Sequence, residues 1–140
     1  MGEHESVRGT CLCGAVTLTA HAVEEYGACH CGMCRKWGGG PLMAVDCGQT
    51  VRIEGEGSVG VFDSSPWAER GFCTKCGTHL FYRLKGNQEY HVPVGLFGDA
   101  VTGRFALQVF IDKKPESYAF ANQTETMTEA EIFEQYAPKD

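Results

Sequence analysis

The sequence predicts a mainly β protein with a short C-terminal helix, and three observations lead to that prediction. Glycine supplies 18 of the 140 residues, about twice its usual share of roughly 7%. Short apolar runs lie between the glycines, and one of them, AVTLTAHAV, alternates apolar and polar residues. Because a period of two is typical of a strand with one buried face, the chain is expected to form sheets.

Strand and helix signals follow one another along the chain. The runs predicted as strands are residues 14–23, 42–47, 59–63, 78–84 and 105–111. The segment TEAEIFEQYA is the predicted helix, since Thr128 and Glu131 have the spacing of a capping box. Ile132, Phe133 and Tyr136 would share one side of that helix, which indicates a packing role.

Charge and composition exclude several functional classes. Eighteen acidic residues against 12 basic ones give a net charge of −6, and without a basic cluster no nucleic-acid partner is expected. No apolar run approaches the ~20 residues of a membrane span, and the polar N-terminus lacks the apolar run of a secretory signal. No repeat or linker divides the sequence. We therefore expect a single cytoplasmic domain, residues 1–140, with no membrane partner.

Seven of the eight cysteines fall into three motifs, CLCG, CHCGMC and FCTKCG. In a chain without an export signal, such cysteines are better explained as metal ligands than as disulfides. Cys11 and Cys13, two apart on an extended segment, can reach the ~3.7 Å sulfur separation of tetrahedral zinc with Zn–S bonds near 2.3 Å. Pairing them with Cys73 and Cys76 gives a closed structural site.

The motif CHCGMC leaves three thiolates, Cys29, Cys31 and Cys34, for a second site. Three protein ligands with an open fourth position are typical of catalytic zinc. Two residues could close the site instead. Cys47 ends an apolar run, where a buried free thiol is the more ordinary explanation, and His30 should point away from a metal shared by its neighbours. Zinc with three thiolates carries a formal charge of −1, which favours an incoming thiol over hydroxide generation.

Three segments together resemble the glutathione-dependent formaldehyde-activating enzyme (GFA) family, which also includes the centromere protein V domain: C-x-C-G near the N-terminus, CHCGMCRK followed by GGGP, and RGFCTKCGTHLFYR. The resemblance runs from about Arg8 through FIDKKPESYAF. It implies one GFA-type zinc-binding domain with zinc-pinned, β-tent-like sheets. It further implies two zinc ions per chain, with structural zinc at Cys11, Cys13, Cys73 and Cys76 and catalytic zinc at Cys29, Cys31 and Cys34. The implied activity is a carbon–sulfur lyase that joins glutathione to formaldehyde as S-(hydroxymethyl)glutathione.

Glutathione carries two carboxylates and one ammonium group, so its site should offer cations and backbone donors. Arg35 and Lys36 directly follow the three-cysteine motif and are the predicted glutathione-binding residues; a solvated surface pair explains them equally well. Two further cations and two proton carriers are weaker candidates, each with a structural role as the simpler explanation: Arg70, Arg83, His79 and His91.

The sequence leaves two other functional classes open. A non-catalytic zinc module that carries thiols or binds a protein partner would have a saturated second metal site. A redox-sensing protein would need a low-pKa cysteine that is free of metal. The identity of the small thiol and the small aldehyde, and the oligomeric state, are not predicted.

Overall fold

The structure, a computed structural model, describes residues 6–21, 24–101 and 103–136. The strands within this part of the chain are β1 (Ser6–Thr10), β2 (Thr17–His21), β3 (Glu25–Cys29), β4 (Leu42–Gly48), β5 (Arg52–Glu54), β6 (Val59–Phe62), β7 (Ala68–Cys73), β8 (His79–Leu84), β9 (Tyr90–Pro93), β10 (Arg104–Val109) and β11 (Glu125–Met127). The α-helices are α1 (Gly32–Gly38) and α2 (Glu129–Tyr136), and 3₁₀ helices cover Glu56–Ser58, Val94–Ala100 and Ile111–Lys113. The prediction of a mainly β fold with a short C-terminal helix is confirmed.

Each predicted run contains a strand, namely β2, β4, β6, β8 and β10. In β2 the predicted alternation holds only in part: Leu18 and Ala20 are buried and His21 is exposed, but Thr17, expected on the polar face, is also buried. Residues 22 and 23, where the first run is predicted to end, lie outside the described part. Strand β10 stops short of its predicted end because Phe110 adopts a φ of 56° and leads into a 3₁₀ turn. A left-handed residue of this kind cannot continue a strand.

Helix α2 begins with the predicted capping box. The backbone N–H of Glu131 donates to Thr128 Oγ1 at 3.2 Å, and Thr128 N–H donates to Glu131 Oε1 at 2.8 Å. Phe133 is exposed at 45% and Ile132 is half-buried, while the predicted packing of Tyr136 falls outside the described side chains. No helix in residues 6–21, 24–101 and 103–136 is long and apolar enough to cross a membrane.

Helix α1 is absent from the sequence-based prediction, which recognised one helix only. The segment has glycine at both ends and low intrinsic helix propensity. Its first turn is fixed by Cys31, whose thiol accepts from Cys34 N–H at 3.4 Å and whose carbonyl accepts from Arg35 N–H at 3.0 Å. Capping by a thiol has no established sequence signature, so this helix could not be read from periodicity.

The chain divides into two compact units, each made of two chain segments, and the expectation of a single domain remains a prediction. Unit 1 comprises Met1–Glu24 and Val45–Gly103. In it β2 pairs antiparallel with β1 and β5, and β6, β7, β8 and β9 form a continuous antiparallel ladder. Its largest fully buried apolar side chains are Val16, Leu18, Val45, Leu80 and Val92.

Unit 2 comprises Glu25–Ala44 and Arg104–Asp140. Its central strands β3 and β10 run parallel, with Cys29 opposite Val109. The first residues of β4 pair antiparallel with β3, and β11 pairs parallel with β10. The loop after β3, which carries the three-cysteine motif, therefore begins directly beside the end of β10.

Gly71 on β7 tests the packing of unit 1. A Cβ added there would clash with the ring of Phe81, and that ring is flanked by the Arg83 guanidinium at 4.8 Å and the Tyr90 ring at 5.0 Å. We expect Gly71→Ala to lower the free energy of unfolding by about 1–3 kcal/mol, as overpacked cores do. Chemical denaturation of the metal-loaded protein measures the change. Gly86→Ala, whose Cβ would meet no atom within 4 Å, is the control, and equal stability of the two variants would contradict this packing.

Candidate metal centres

The first candidate centre, here named the four-cysteine cluster, lies in unit 1 and consists of Cys11, Cys13, Cys73 and Cys76. All four sulfur atoms lie within 4.8 Å of one another. The Sγ of Cys13 is 3.7 Å from the Sγ of both Cys11 and Cys73. This is the separation expected between thiolates that share a tetrahedral zinc ion. The fold thus brings the motifs CLCG and FCTKCG together, and the cluster could hold a metal.

Two tight turns shape this cluster. Gly14 and Gly77, each just after a cysteine pair, adopt φ values of 84° and 81°, which glycine tolerates far better than residues with a side chain. The turns leave backbone donors facing sulfur: Val16 N–H points at Cys11 Sγ and Lys75 N–H at Cys73 Sγ, both at 3.4 Å. Such donors orient metal-bound thiolates and stabilise their charge.

Thr78 links the two cysteine motifs, a role that the sequence did not reveal. Its hydroxyl oxygen accepts from Leu12 N–H at 3.2 Å and lies 3.1 Å from Cys76 Sγ. The hydroxyl makes the largest contribution, and with the backbone N–H groups of Thr78 and Cys13 it lowers the pKa of Cys76 to about 5. The position of Thr78 shortly after Cys76 was a weak local signal. Its contact with Leu12, 66 residues away, follows only from the fold.

The second candidate centre, here named the three-cysteine cluster, lies in unit 2 and consists of Cys29, Cys31 and Cys34. Cys29 ends β3, Cys31 caps α1 and Cys34 lies in the first turn of α1, so one short segment places all three sulfur atoms within 4.8 Å. The neighbouring thiols of Cys29 and Cys34 donate toward Cys31, which lowers its pKa to about 2, while the pKa of Cys29 is raised. The arrangement therefore favours negative charge on Cys31, a state suited to binding a cation.

The two residues that could close this site have other surroundings. His30 is fully buried, and its ring nitrogens lie 2.9 Å from Tyr118 Oη and 2.8 Å from Gln108 Oε1. Cys47 is buried on β4 and belongs to neither cysteine cluster. Burial, with the nearby charge of Asp46, raises the pKa of Cys47 to about 12. Both residues are thus explained by packing and hydrogen bonding.

Arg35 and Lys36 lie in the last turn of α1, close to the three-cysteine cluster in sequence. Arg35 is half-buried and donates from Nε to the carbonyl oxygen of His30 at 2.9 Å. Lys36 is exposed. A further cation, Lys114, was missed by the sequence analysis. Burial has the largest effect in lowering the pKa of His30, and the charges of Lys114 and Arg35 lower it further. Two cations therefore lie close enough to His30 for their charges to act on it.

The two weaker arginine candidates have structural partners in unit 1. Arg83 forms a 2.7 Å ion pair with Glu69 and donates to Tyr90 Oη at 2.8 Å. Arg70 is buried, with its guanidinium 5.0 Å from the centre of the Tyr82 ring. These contacts explain both cations without a ligand.

The two histidine candidates also lie in unit 1, whereas the three-cysteine cluster lies in unit 2. His79 lines a surface pocket of about 400 Å³ with Thr78, and burial lowers its pKa. His91 forms a third set of possible ligand atoms with Asp46 and Glu89. Neither histidine is grouped with a cysteine, so their proposed part in proton transfer gains no support.

Comparison with known proteins agrees with this geometry. A family model described as glutathione-dependent formaldehyde-activating enzyme matches residues 6–113, a range that includes both cysteine clusters. A protein of Schizosaccharomyces pombe, named as an uncharacterized lyase, is 40% identical over 134 residues, which is 94% of this chain and 96% of that protein. A crystal structure of a Rhodobacter sphaeroides protein, 23% identical, shares the fold with a TM-score of 0.56 over 71% of this chain and 99% of its own.

The four-cysteine cluster predicts a sharp contrast between two buried cysteines. We expect Cys73→Ala to lose one bound metal equivalent and much of its stability, since structural zinc contributes roughly 10–16 kcal/mol in small zinc-binding peptides. Metal analysis and circular dichroism during thermal unfolding measure both effects. Cys47→Ala removes an equally buried thiol outside the clusters and should keep its metal. Unchanged metal content in Cys73→Ala would refute the cluster as a metal centre.

Proposed function

This chain belongs to the glutathione-dependent formaldehyde-activating enzyme family, and from that membership we propose that it is a zinc-dependent carbon–sulfur lyase. In the proposed reaction the sulfur of glutathione forms a bond with the carbonyl carbon of formaldehyde. The thiol proton ends on the carbonyl oxygen, which gives S-(hydroxymethyl)glutathione. The reverse reaction breaks the same carbon–sulfur bond and returns both reactants.

The observation that carries the proposal is the number of ligands in the three-cysteine cluster. Three sulfur atoms lie within 4.8 Å of one another, and no fourth ligand atom joins them among the residues that the structure describes. Protein zinc sites are almost always four-coordinate, and catalytic ones keep the fourth position for water or substrate. Zinc held there would lower the pKa of an incoming thiol and favour its nucleophilic thiolate form. Three sulfur ligands leave the fourth position of a tetrahedral zinc ion for the sulfur of a thiol substrate.

The four-cysteine cluster is proposed to hold a structural zinc ion. It supplies a full set of four sulfur ligands, and its sulfur atoms receive hydrogen bonds from the backbone and from Thr78. A closed site of this kind leaves no position for substrate. Its proposed role is to join the start of the chain to β7 and β8, not to take part in the reaction.

Arg35 is proposed to bind a carboxylate of glutathione. Its Nε is held by the His30 carbonyl, which fixes the guanidinium and leaves both Nη groups as donors for a planar carboxylate. Lys36 is proposed as a second, more exposed cation. Because the protein has a net charge of −6, it repels an anionic tripeptide at long range, and local cations have to offset that repulsion.

Catalysis by the three-cysteine cluster is tested with Cys31→Ser. Zinc-loaded protein is mixed with glutathione and formaldehyde, and adduct formation is followed by nuclear magnetic resonance. We expect the natural protein to exceed the spontaneous rate and Cys31→Ser to lose about 10–100-fold or more of that excess, as weakened metal sites do. Cys47→Ser is the control. A natural protein no faster than the background, or an unaffected Cys31→Ser, would refute the lyase.

Zinc-edge spectroscopy separates the lyase from a thiol-carrying module with a saturated site. In the lyase, the spectrum before glutathione should show an oxygen or nitrogen ligand at one of two zinc ions, and that ligand should be replaced by sulfur when glutathione is added. A spectrum with sulfur ligands only, before any thiol is added, would favour the non-catalytic module.

Arg35 makes a separate prediction about substrate binding. Arg35→Gln removes a charged donor, and hydrogen bonds to charged groups contribute about 1.5–3 kcal/mol. We therefore expect the KM for glutathione to rise about tenfold or more, with kcat and zinc content nearly unchanged. Steady-state kinetics measure KM and kcat separately. Arg52→Gln, an exposed arginine on β5, makes the same charge change as a control. Equal KM values in the two variants would remove Arg35 from the proposed binding site.

A further inference from the structure

His30 is fully buried, with 0% of its surface exposed, although it lies between two cysteines of the three-cysteine cluster in the sequence. The proposed reaction gives it no task. A polar side chain at such a position requires complete hydrogen bonding to offset its desolvation. The partners of His30 therefore show what its burial achieves.

All four polar atoms of His30 are hydrogen-bonded. The backbone N–H donates to Val109 O at 3.1 Å, and the carbonyl accepts from Arg35 Nε at 2.9 Å. The ring atoms Nε2 and Nδ1 lie 2.8 Å from Gln108 Oε1 and 2.9 Å from Tyr118 Oη. These partners come from β10, from α1 and from the segment after β10, so one residue ties three parts of unit 2 together.

The direction of each ring hydrogen bond follows from Gln108. Its Nε2 donates to Thr124 Oγ1 at 3.0 Å, so its Oε1 faces His30 and accepts a hydrogen bond from the N–H of ring Nε2. The other ring nitrogen, Nδ1, then has a lone pair and accepts from the Tyr118 hydroxyl. The imidazole cannot turn about its own axis without breaking both bonds.

The groups that hold the ring are themselves held. Lys114 Nζ donates to the carbonyl oxygens of Pro115 at 3.0 Å and Tyr118 at 2.6 Å. The rings of Tyr118 and Phe120 lie 5.6 Å and 6.0 Å from the imidazole, centre to centre. The His30 side chain is thus enclosed by a rigid set of aromatic and hydrogen-bonding neighbours.

We propose that His30 is the positioning residue of the three-cysteine cluster, with Tyr118 and Gln108 as the partners that fix it. Neighbouring side chains on extended backbone point to opposite sides. Fixing the imidazole on one side therefore fixes the thiols of Cys29 and Cys31 on the other. The preorganised spacing of the sulfur atoms then raises the affinity for metal at this site, in the way that supporting hydrogen bonds do in other metal centres. The inference rests on the metal-binding part of the proposed function, not on the choice of thiol or aldehyde.

The test uses the full chain loaded with cobalt, whose absorption reports the number and geometry of sulfur ligands, and a chelator competition that measures affinity. His30, Gln108 and Tyr118 are here named the clamp. Two variants weaken it: His30→Phe keeps an aromatic ring but removes both ring hydrogen bonds, and Tyr118→Phe removes one hydroxyl. We expect the affinity of one of the two metals to fall about 10–100-fold in His30→Phe, and less in Tyr118→Phe. The cobalt spectrum of that metal should change while the other metal is retained.

Two further variants separate positioning from general loss of stability. His30→Gln keeps an amide able to bond Gln108 and should recover part of the affinity. Tyr90→Phe removes a hydroxyl that accepts from Arg83 in unit 1, so it matches the chemistry of Tyr118→Phe away from the clamp and should leave both metals bound. If His30→Phe does not fold, the comparison of Tyr118→Phe with Tyr90→Phe decides the matter.

Unchanged metal affinity and an unchanged cobalt spectrum in folded His30→Phe, or in folded Tyr118→Phe where His30→Phe does not fold, would overturn the positioning role. The result is independent of turnover. If the natural protein fails to form the adduct but the clamp variants lose metal as expected, the lyase proposal fails and the positioning role stands. If turnover is present but the clamp variants bind metal normally, the positioning role fails alone.

Discussion

The structure depends on the convergence of cysteine sulfur atoms that repel one another once ionised. In the four-cysteine cluster, sulfur atoms contributed by Cys13 and Cys73 lie 3.7 Å apart, although the residues are 60 positions apart in sequence. Four thiolates at such distances are stable only with a cation among them, because the Coulomb repulsion of like charges at close range is large. On its proposed role as a structural zinc site, the cluster would make the order of unit 1 depend on a metal, and the tight turns and Thr78 lie around it.

The two clusters bring cysteine sulfur atoms close together in different ways. The four-cysteine cluster joins distant segments and supplies a complete set of ligands. The three-cysteine cluster uses one short segment, and its shape is supported by a buried imidazole and by the start of α1. The first arrangement is suited to holding a fold together, whereas the second supplies three ligands among the described residues, which is the basis of its proposed catalytic role. Sequence spacing separates a cluster built from two distant motifs from a cluster built within six residues, but it left open whether Cys47 or His30 completes the second one.

Short-range patterns made most of this fold and site predictable. Three patterns span only a few residues each and are therefore visible in the sequence: the alternation in β2, the capping box at Thr128 and the cysteine spacings. Residues that act through long-range contacts were missed. Gln108 and Tyr118 carry no local signal, and Thr78 carries only a weak one, because their long-range partners are determined by the fold. Helix α1 was missed for the related reason that a thiol cap, not intrinsic propensity, starts it.

The different sequence separations of the two clusters bear on how the protein matures. During synthesis at roughly 5–20 residues per second, Cys29, Cys31 and Cys34 are made almost together. Cys13, in contrast, is made on the order of 3–12 seconds before Cys73. Bringing Cys13 and Cys73 together closes a longer loop than joining Cys29 to Cys34, and this costs more conformational entropy. For the two proposed metal sites, these separations favour the three-cysteine cluster as the first to bring its ligands together.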